Sequence, residues 1–93
     1  RADFEVVAWE GFVAAEQEYQ RVTDELLGAL EAQRDELAPE TVEIVERNLA
    51  LIDSAITEAR AALEKDPANS RLVHKLTDMY RTRVTFLERM SQL

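Results

Sequence analysis

Apolar residues recur along the chain with the period of an α-helix, most regularly between Pro39 and Lys65. There they follow one another at alternating steps of three and four, which places them on one face of a helix of about seven turns. This apolar seam consists of Val42, Val45, Leu49, Ile52, Ile56, Ala59 and Leu63. Because so long a seam must be covered, residues 39–65 are predicted to form the central helix of a bundle, with the other segments as its partners.

The segments on either side carry matching stripes. Residues 3–37 are predicted to form one long helix, and Gly11, which costs about 1 kcal/mol relative to alanine, is where any kink is expected. Its stripe is Phe12, Ala15, Tyr19, Val22, Leu26, Leu30 and Leu37. Residues 70–92 are predicted to form a third helix, whose broader stripe is wide enough to contact two partners. That stripe is Leu72, Val73, Leu76, Met79, Tyr80, Val84, Phe86, Leu87 and Met90.

Two short segments separate the predicted helices. Pro39 suits the first turn of a helix, and glutamates come after it, so the first two helices are expected to be antiparallel neighbours joined by a very short turn. Pro67 disfavours helical geometry at the residue before it, and Asn69 or Ser70 can cap the third helix. The chain is therefore predicted to be all-α, an antiparallel three-helix bundle forming a single helical domain over residues 1–93.

Charge is distributed unevenly along this acidic chain of net charge −8. Acidic residues outnumber basic ones by 10 to 3 in residues 1–37 and by 7 to 3 in 38–66, whereas basic residues lead by 5 to 2 in 67–93. A basic third helix is expected to settle against two acidic ones, although each exposed ion pair contributes less than about 1 kcal/mol. Nucleic acid is not expected as a partner, because a net charge this negative repels phosphates.

The residue types that carry chemistry mostly fit structural roles. The chain has one histidine, His74, and no cysteine, so a surface histidine is expected rather than a metal site. The serines lack an accompanying base, and the many carboxylates suit a solvated face. We therefore expect no catalytic, cofactor-binding or metal residues, and a protein that is not an enzyme. Arg83 differs, because it falls inside the apolar stripe and is predicted to bury its stem and pair with a carboxylate of an acidic helix.

Several apolar residues lie beside the main stripes and predict self-association as a dimer, or binding to another protein. Ile44 and Leu51 are one heptad apart on the second helix, and aromatic residues lead the first helix. The candidate interface residues are Phe4, Trp9, Phe12, Ile44 and Leu51.

Much of the second half of the chain carries a family resemblance. The segments concerned are 37–42 (LAPETV), 45–53 (VERNLALID), 55–56 (AI), 58–63 (EARAAL) and 66–69 (DPAN). From about Glu16 onward the chain resembles the C-terminal region of bacterial transmembrane zinc-finger anti-sigma factors. In that family a cytoplasmic zinc-finger segment binds the sigma factor, one membrane helix comes next, and a helical tail lies outside the cytoplasm.

The resemblance implies a location and a role for these residues. It does not imply that they bind the sigma factor. The metal ligands and the membrane helix of the full family pattern are missing here. The chain also starts without methionine, so we expect a fragment of a longer protein anchored in a bacterial inner membrane upstream of residue 1. The implied function is a periplasmic sensory or interaction module that takes part in transcription regulation through a cytoplasmic part.

Two other resemblances define alternatives. Residues 24–27 (DELL) with Leu30, Arg34 and Leu37 resemble the first helix of all-helical chorismate mutases, small enzymes that grip a dicarboxylate with cationic side chains. Pro39 opposes this reading, because that family continues its helix past this point. Residues 61–69 resemble the junction between tetratricopeptide repeats, which would make the chain a scaffold, but no second copy of a period of about 34 residues is present.

Overall fold

The computed structural model describes residues 2–92 of the chain, with side chains from residue 6 onward. Helix α1 spans Ala2–Ala32, a 3₁₀ helix spans Arg34–Glu36, α2 spans Pro39–Lys65 and α3 spans Ser70–Met90. The predicted all-α three-helix bundle is therefore confirmed. The bundle is elongated, 53 × 19 × 14 Å, since a helix as long as α1 alone extends about 46 Å.

The turn between α1 and α2 differs from the predicted one. Helix α1 ends at Ala32 rather than at residue 37, and the chain tightens into the 3₁₀ helix before Leu37 becomes extended. Ala38 is also extended, with ψ 142°, the geometry favoured for a residue before proline. This geometry lets the chain reverse while Leu37 packs against the core. Gly11 produces no break, because α1 runs through it without interruption.

The central helix of the bundle is α3, and the prediction that α2 is central was wrong. Close backbone packing joins α3 to α1 and α3 to α2, whereas the backbones of α1 and α2 stay further apart. The sequence carried two reasons for this arrangement: α3 has the broadest apolar stripe, and its segment is the only basic one. The expectation that a basic helix settles against two acidic helices is confirmed.

The core consists of two apolar clusters along the bundle axis. One cluster centres on Ile56, Leu63, Leu76 and Tyr80, and the other on Leu30, Val45 and Leu87. Leu63, Leu76 and Leu87 are fully buried. On α2 and α3 a polar residue lies in sequence between the buried members of the two clusters, Asp53 between Val45 and Ile56 and Arg83 between Tyr80 and Leu87.

The buried face of α1 has a different register from the predicted stripe. Ala15 is exposed, whereas Glu16 is half-buried and Thr23 is 1% exposed. The inward face therefore runs at alternating steps of four and three through Phe12, Glu16, Tyr19, Thr23, Leu26 and Leu30. A stripe that counts only apolar residues misses this register, because two of its six positions are polar.

Candidate functional site

Two polar networks cross the bundle, and each takes one residue from every helix. In the first network, Arg83 of α3 donates from Nη1 to Asp53 Oδ1 of α2 at 2.8 Å and from Nη2 to Gln20 Oε1 of α1 at 3.0 Å. The guanidinium also lies 5.6 Å from the centre of the Tyr80 ring. The predicted burial of the Arg83 stem and its pairing with a carboxylate of an acidic helix are confirmed.

The second network joins Glu16 of α1, Arg60 of α2 and Tyr80 of α3. Arg60 donates to the two carboxylate oxygens of Glu16 at 2.6 and 3.3 Å, and the Tyr80 hydroxyl donates to the same carboxylate. Burial and the Glu16 hydrogen bond raise the pKa of Tyr80, so the phenol stays protonated and acts as a donor. The hydrogen bond to Glu16 likewise raises the pKa of Arg60.

Aromatic rings cover the second network. The Arg60 guanidinium carbon lies 5.1 Å from the centre of the Trp9 ring and 5.7 Å from that of Phe12. The two rings tilt against each other with centroids 5.6 Å apart. Because a cation over an aromatic face is stabilised by the ring quadrupole, Trp9 and Phe12 help to hold the Arg60 guanidinium beside Glu16.

The wider separation of α1 and α2 leaves an open groove between them, with α3 as its floor. Its main part has a volume of about 300 Å³. Gln20, Thr23, Leu27, Leu49, Asp53, Ile56, Thr57, Tyr80 and Arg83 line this part. A smaller part continues toward the α1–α2 turn past Leu27 and Leu49, which line both parts, to Leu30, Val42 and Val45. We call the whole the α1/α2 groove.

Two buried polar atoms in residues that line the α1/α2 groove have no hydrogen-bond partner among the described residues. They are Arg83 Nε and Thr23 Oγ1. Each belongs to a side chain that is more than nine-tenths buried. A buried donor without an acceptor is costly, by about 1–3 kcal/mol, so these atoms, one on the α3 floor and one on the α1 wall, mark the groove as a place where a further acceptor is favourable.

The structure separates the candidate interface residues into two groups. Trp9 and Phe12 are half-buried and pack against the cluster that contains Leu76 and Tyr80, so they are already partly covered within the chain. Ile44 and Leu51 remain exposed, at 48% and 66%. The side chain of Phe4 lies outside the described residues.

The structure also shows the positions of His74 and Arg34. His74 is exposed, and within the part of the chain that the structure describes no group of three histidine, aspartate or glutamate side chains could hold a metal ion. Arg34, which carries the mutase resemblance, lines the small part of the groove and donates to Glu46 at 2.8 Å. None of the described helices is long and apolar enough to cross a bilayer.

Sequence reasoning found Arg83 but not its partners, and it missed the Glu16 network. The available signal was the helical register: Arg60 lies between Ile56 and Leu63, and Glu16 between Phe12 and Tyr19, at inward-facing steps. A search for oppositely charged residues at such positions would have indicated the pair.

Comparison of the chain with protein-family models, with curated proteins and with solved structures finds no match.

Proposed function

We propose that this chain is a non-catalytic helical interaction module that serves as the extracytoplasmic tail of a membrane-anchored anti-sigma factor. The observation that carries the non-catalytic part is the pairing of internal polar groups across helices. Glu16, Arg60 and Tyr80 satisfy one another, and Arg83 is held by Asp53 and Gln20. Groups engaged in this way hold three helices in register, which is a structural role.

The anti-sigma assignment is supported by the resemblance of residues 37–69, which form α2 and the turns at its two ends. The resemblance is to a packing pattern, and the burial of Val45, Ile56 and Leu63 in that segment supports the proposal. In such a protein the tail receives a signal or a partner outside the cytoplasm, and the cytoplasmic part controls a sigma factor.

The reading frame that contains these residues gives a direct test. Upstream codons for a histidine and cysteine zinc motif and then one membrane helix are the expected result. A reporter enzyme that is active only outside the cytoplasm, fused after Leu93 of the full-length protein, is expected to be active. A reading frame that begins at residue 1, or a reporter active only in the cytoplasm, would contradict the proposal.

We further propose that the module self-associates, with Ile44 and Leu51 in the interface. Both are large, exposed and one heptad apart on α2, so a second copy can cover them together. Anchoring to one membrane raises the effective concentration of two copies and allows a weak interface to respond to a signal. Sedimentation equilibrium is expected to show a concentration-dependent dimer that is lost in the Ile44→Ser, Leu51→Ser double variant. A monomer at all concentrations would contradict the proposed self-association.

A further inference from the structure

The α1/α2 groove has the features of a recognition surface for a helix. Its walls are two antiparallel helices and its floor is a third, so a fourth helix laid along it would complete a four-helix arrangement. Its apolar lining includes Leu27, Leu49 and Ile56. Leu27 is 37% exposed although it faces this concave surface, which leaves an apolar position for a partner to cover.

The size of the groove fits single anchor side chains of such a helix. The main part, of about 300 Å³, exceeds the volume of one leucine or phenylalanine side chain, and the continuation toward Val42 and Val45 offers a second, shallower position. Amphipathic helices bind grooves of this kind through apolar residues spaced three or four apart.

The charged residues around the groove favour a partner of positive charge. Three carboxylates line it, Glu31, Glu46 and Asp53. Arg34 pairs with both glutamates and the buried Arg83 pairs with Asp53, so three carboxylates and two arginines leave the lining with a net charge of −1. The surroundings are acidic within a chain of net charge −8, so lysine or arginine residues flanking the apolar ridge of a partner are favoured.

Two unpartnered polar groups, one on the α3 floor and one on the α1 wall, favour a polar side chain in the partner. Arg83 Nε and Thr23 Oγ1 lack hydrogen-bond partners among residues 2–92, and both residues line the main part of the groove. A side chain with an acceptor oxygen, carried among the apolar anchors of the partner, would reach this region and compensate a buried donor after a small outward movement of Arg83.

We propose that the α1/α2 groove binds a basic amphipathic helix of a partner protein, through apolar anchors beside Leu27 and Leu49 and an acceptor side chain over Arg83. This inference rests on the proposed function, since it names the partner of the same interaction module. Complementary charge speeds the encounter and selects the partner, while the apolar anchors supply most of the affinity.

The test uses a synthetic helical peptide of about 18 residues, composed of leucine, lysine and glutamine, with leucines on one face and a central glutamine among them. Two variants of the chain are matched: Leu27→Lys places a cation in the groove, and Val7→Lys places one at an exposed position of the same helix outside the groove. Circular dichroism verifies that both remain folded, and calorimetry measures peptide binding.

The peptide is expected to bind the wild type and Val7→Lys equally, and Leu27→Lys at least about tenfold more weakly. A scrambled peptide of the same composition is expected to bind at least about tenfold more weakly than the ordered one. Amide shifts in NMR spectra are expected to cluster at Gln20, Thr23, Leu27, Leu49 and Asp53.

Three results would overturn the inference: no binding to the wild type, equal binding of the scrambled peptide, or equal loss in the two lysine variants. The first removes the helix-binding surface, the second reduces binding to charge alone, and the third places it outside the groove. An active extracytoplasmic reporter together with any of these results leaves the proposed function in place and removes only this surface.

Discussion

Arg83 and Asp53 form an asymmetric ion pair, in which the cation is buried and the anion faces water. Their Nη1 and Oδ1 atoms are 2.8 Å apart, and the side chains are 8% and 54% exposed. The desolvation cost therefore falls mainly on Arg83, which has only Gln20 as a second hydrogen-bond acceptor among the described residues. This relationship decides how the two residues respond to substitution.

Removing the anion is expected to destabilise the bundle, and replacing the cation by an apolar side chain is not. Asp53→Ala leaves a buried guanidinium without its charge partner and should cost about 1–3 kcal/mol, less than for a fully buried pair because water reaches this site. Arg83→Met keeps most of the volume without the charge and should change the free energy of unfolding by less than about 1 kcal/mol. Urea unfolding at neutral pH measures both. If Asp53→Ala leaves the free energy of unfolding unchanged and Arg83→Met lowers it, the pair has no such asymmetry.

Two leucines, Leu76 and Leu51, are expected to differ sharply in how much their side chains contribute to the free energy of unfolding. Leu76 of the central helix α3 is fully buried, so Leu76→Ala should lower the free energy of unfolding by about 2–5 kcal/mol. Leu51→Ala is the control, because that side chain is 66% exposed and its truncation should cost less than about 0.5 kcal/mol. The comparison is made at a protein concentration where the chain is monomeric. Equal losses would contradict the placement of the core on α3.

Tyr80 is expected to make stability depend on alkaline pH. Burial and the Glu16 hydrogen bond raise its pKa above the ordinary value of 10.0. The folded chain thus keeps this proton where the unfolded chain loses it. The stabilisation is fully present below about pH 10 and declines as pH rises further, by up to about 1.4 kcal/mol per pH unit.

The measurement is the difference in unfolding free energy between wild type and Tyr80→Phe from pH 8 to the alkaline limit of reversible unfolding. Phenylalanine cannot ionise, so the wild type should lose stability relative to Tyr80→Phe only above about pH 10. Tyr19→Phe is the matched control, since Tyr19 stacks on Tyr80 at 5.9 Å but has no hydrogen bond from its hydroxyl to any described residue. A constant difference across the range would disprove the linkage.

Gly28 offers a route to a more stable bundle. It lies inside α1, it is exposed, and a Cβ atom added there would meet no atom within 4 Å. Gly28→Ala should therefore raise the free energy of unfolding by about 0.5–1 kcal/mol through lower backbone entropy of the unfolded chain and higher helix propensity. The neighbouring exposed Ala29→Gly should lower it by a similar amount. Thermal unfolding followed by circular dichroism compares the two variants. Their stabilities must change in opposite directions for the explanation to hold.

The hydrophobic period of the sequence determined the number, approximate length and antiparallel order of the helices. Each of these depends on interactions within one segment: a helical period, a proline in the first turn, or a capping residue such as Asn69, whose Oδ1 accepts from Leu72 N at 3.2 Å. The burial of Arg83 was equally local, because its position within a broad apolar stripe is visible from spacing alone.

Only the tertiary structure decided which helix is central, how α1 is rotated, and where a groove remains. Two regular seams, on α2 and on α3, compete for the centre, and the outcome depends on the width of the α3 stripe and on the charges of its neighbours acting together. The inward rotation of α1 depends on Glu16 meeting Arg60 and Tyr80, which are 44 and 64 residues away along the chain. Burial of a carboxylate is favourable only where such partners converge, so the periodicity of one helix cannot specify it.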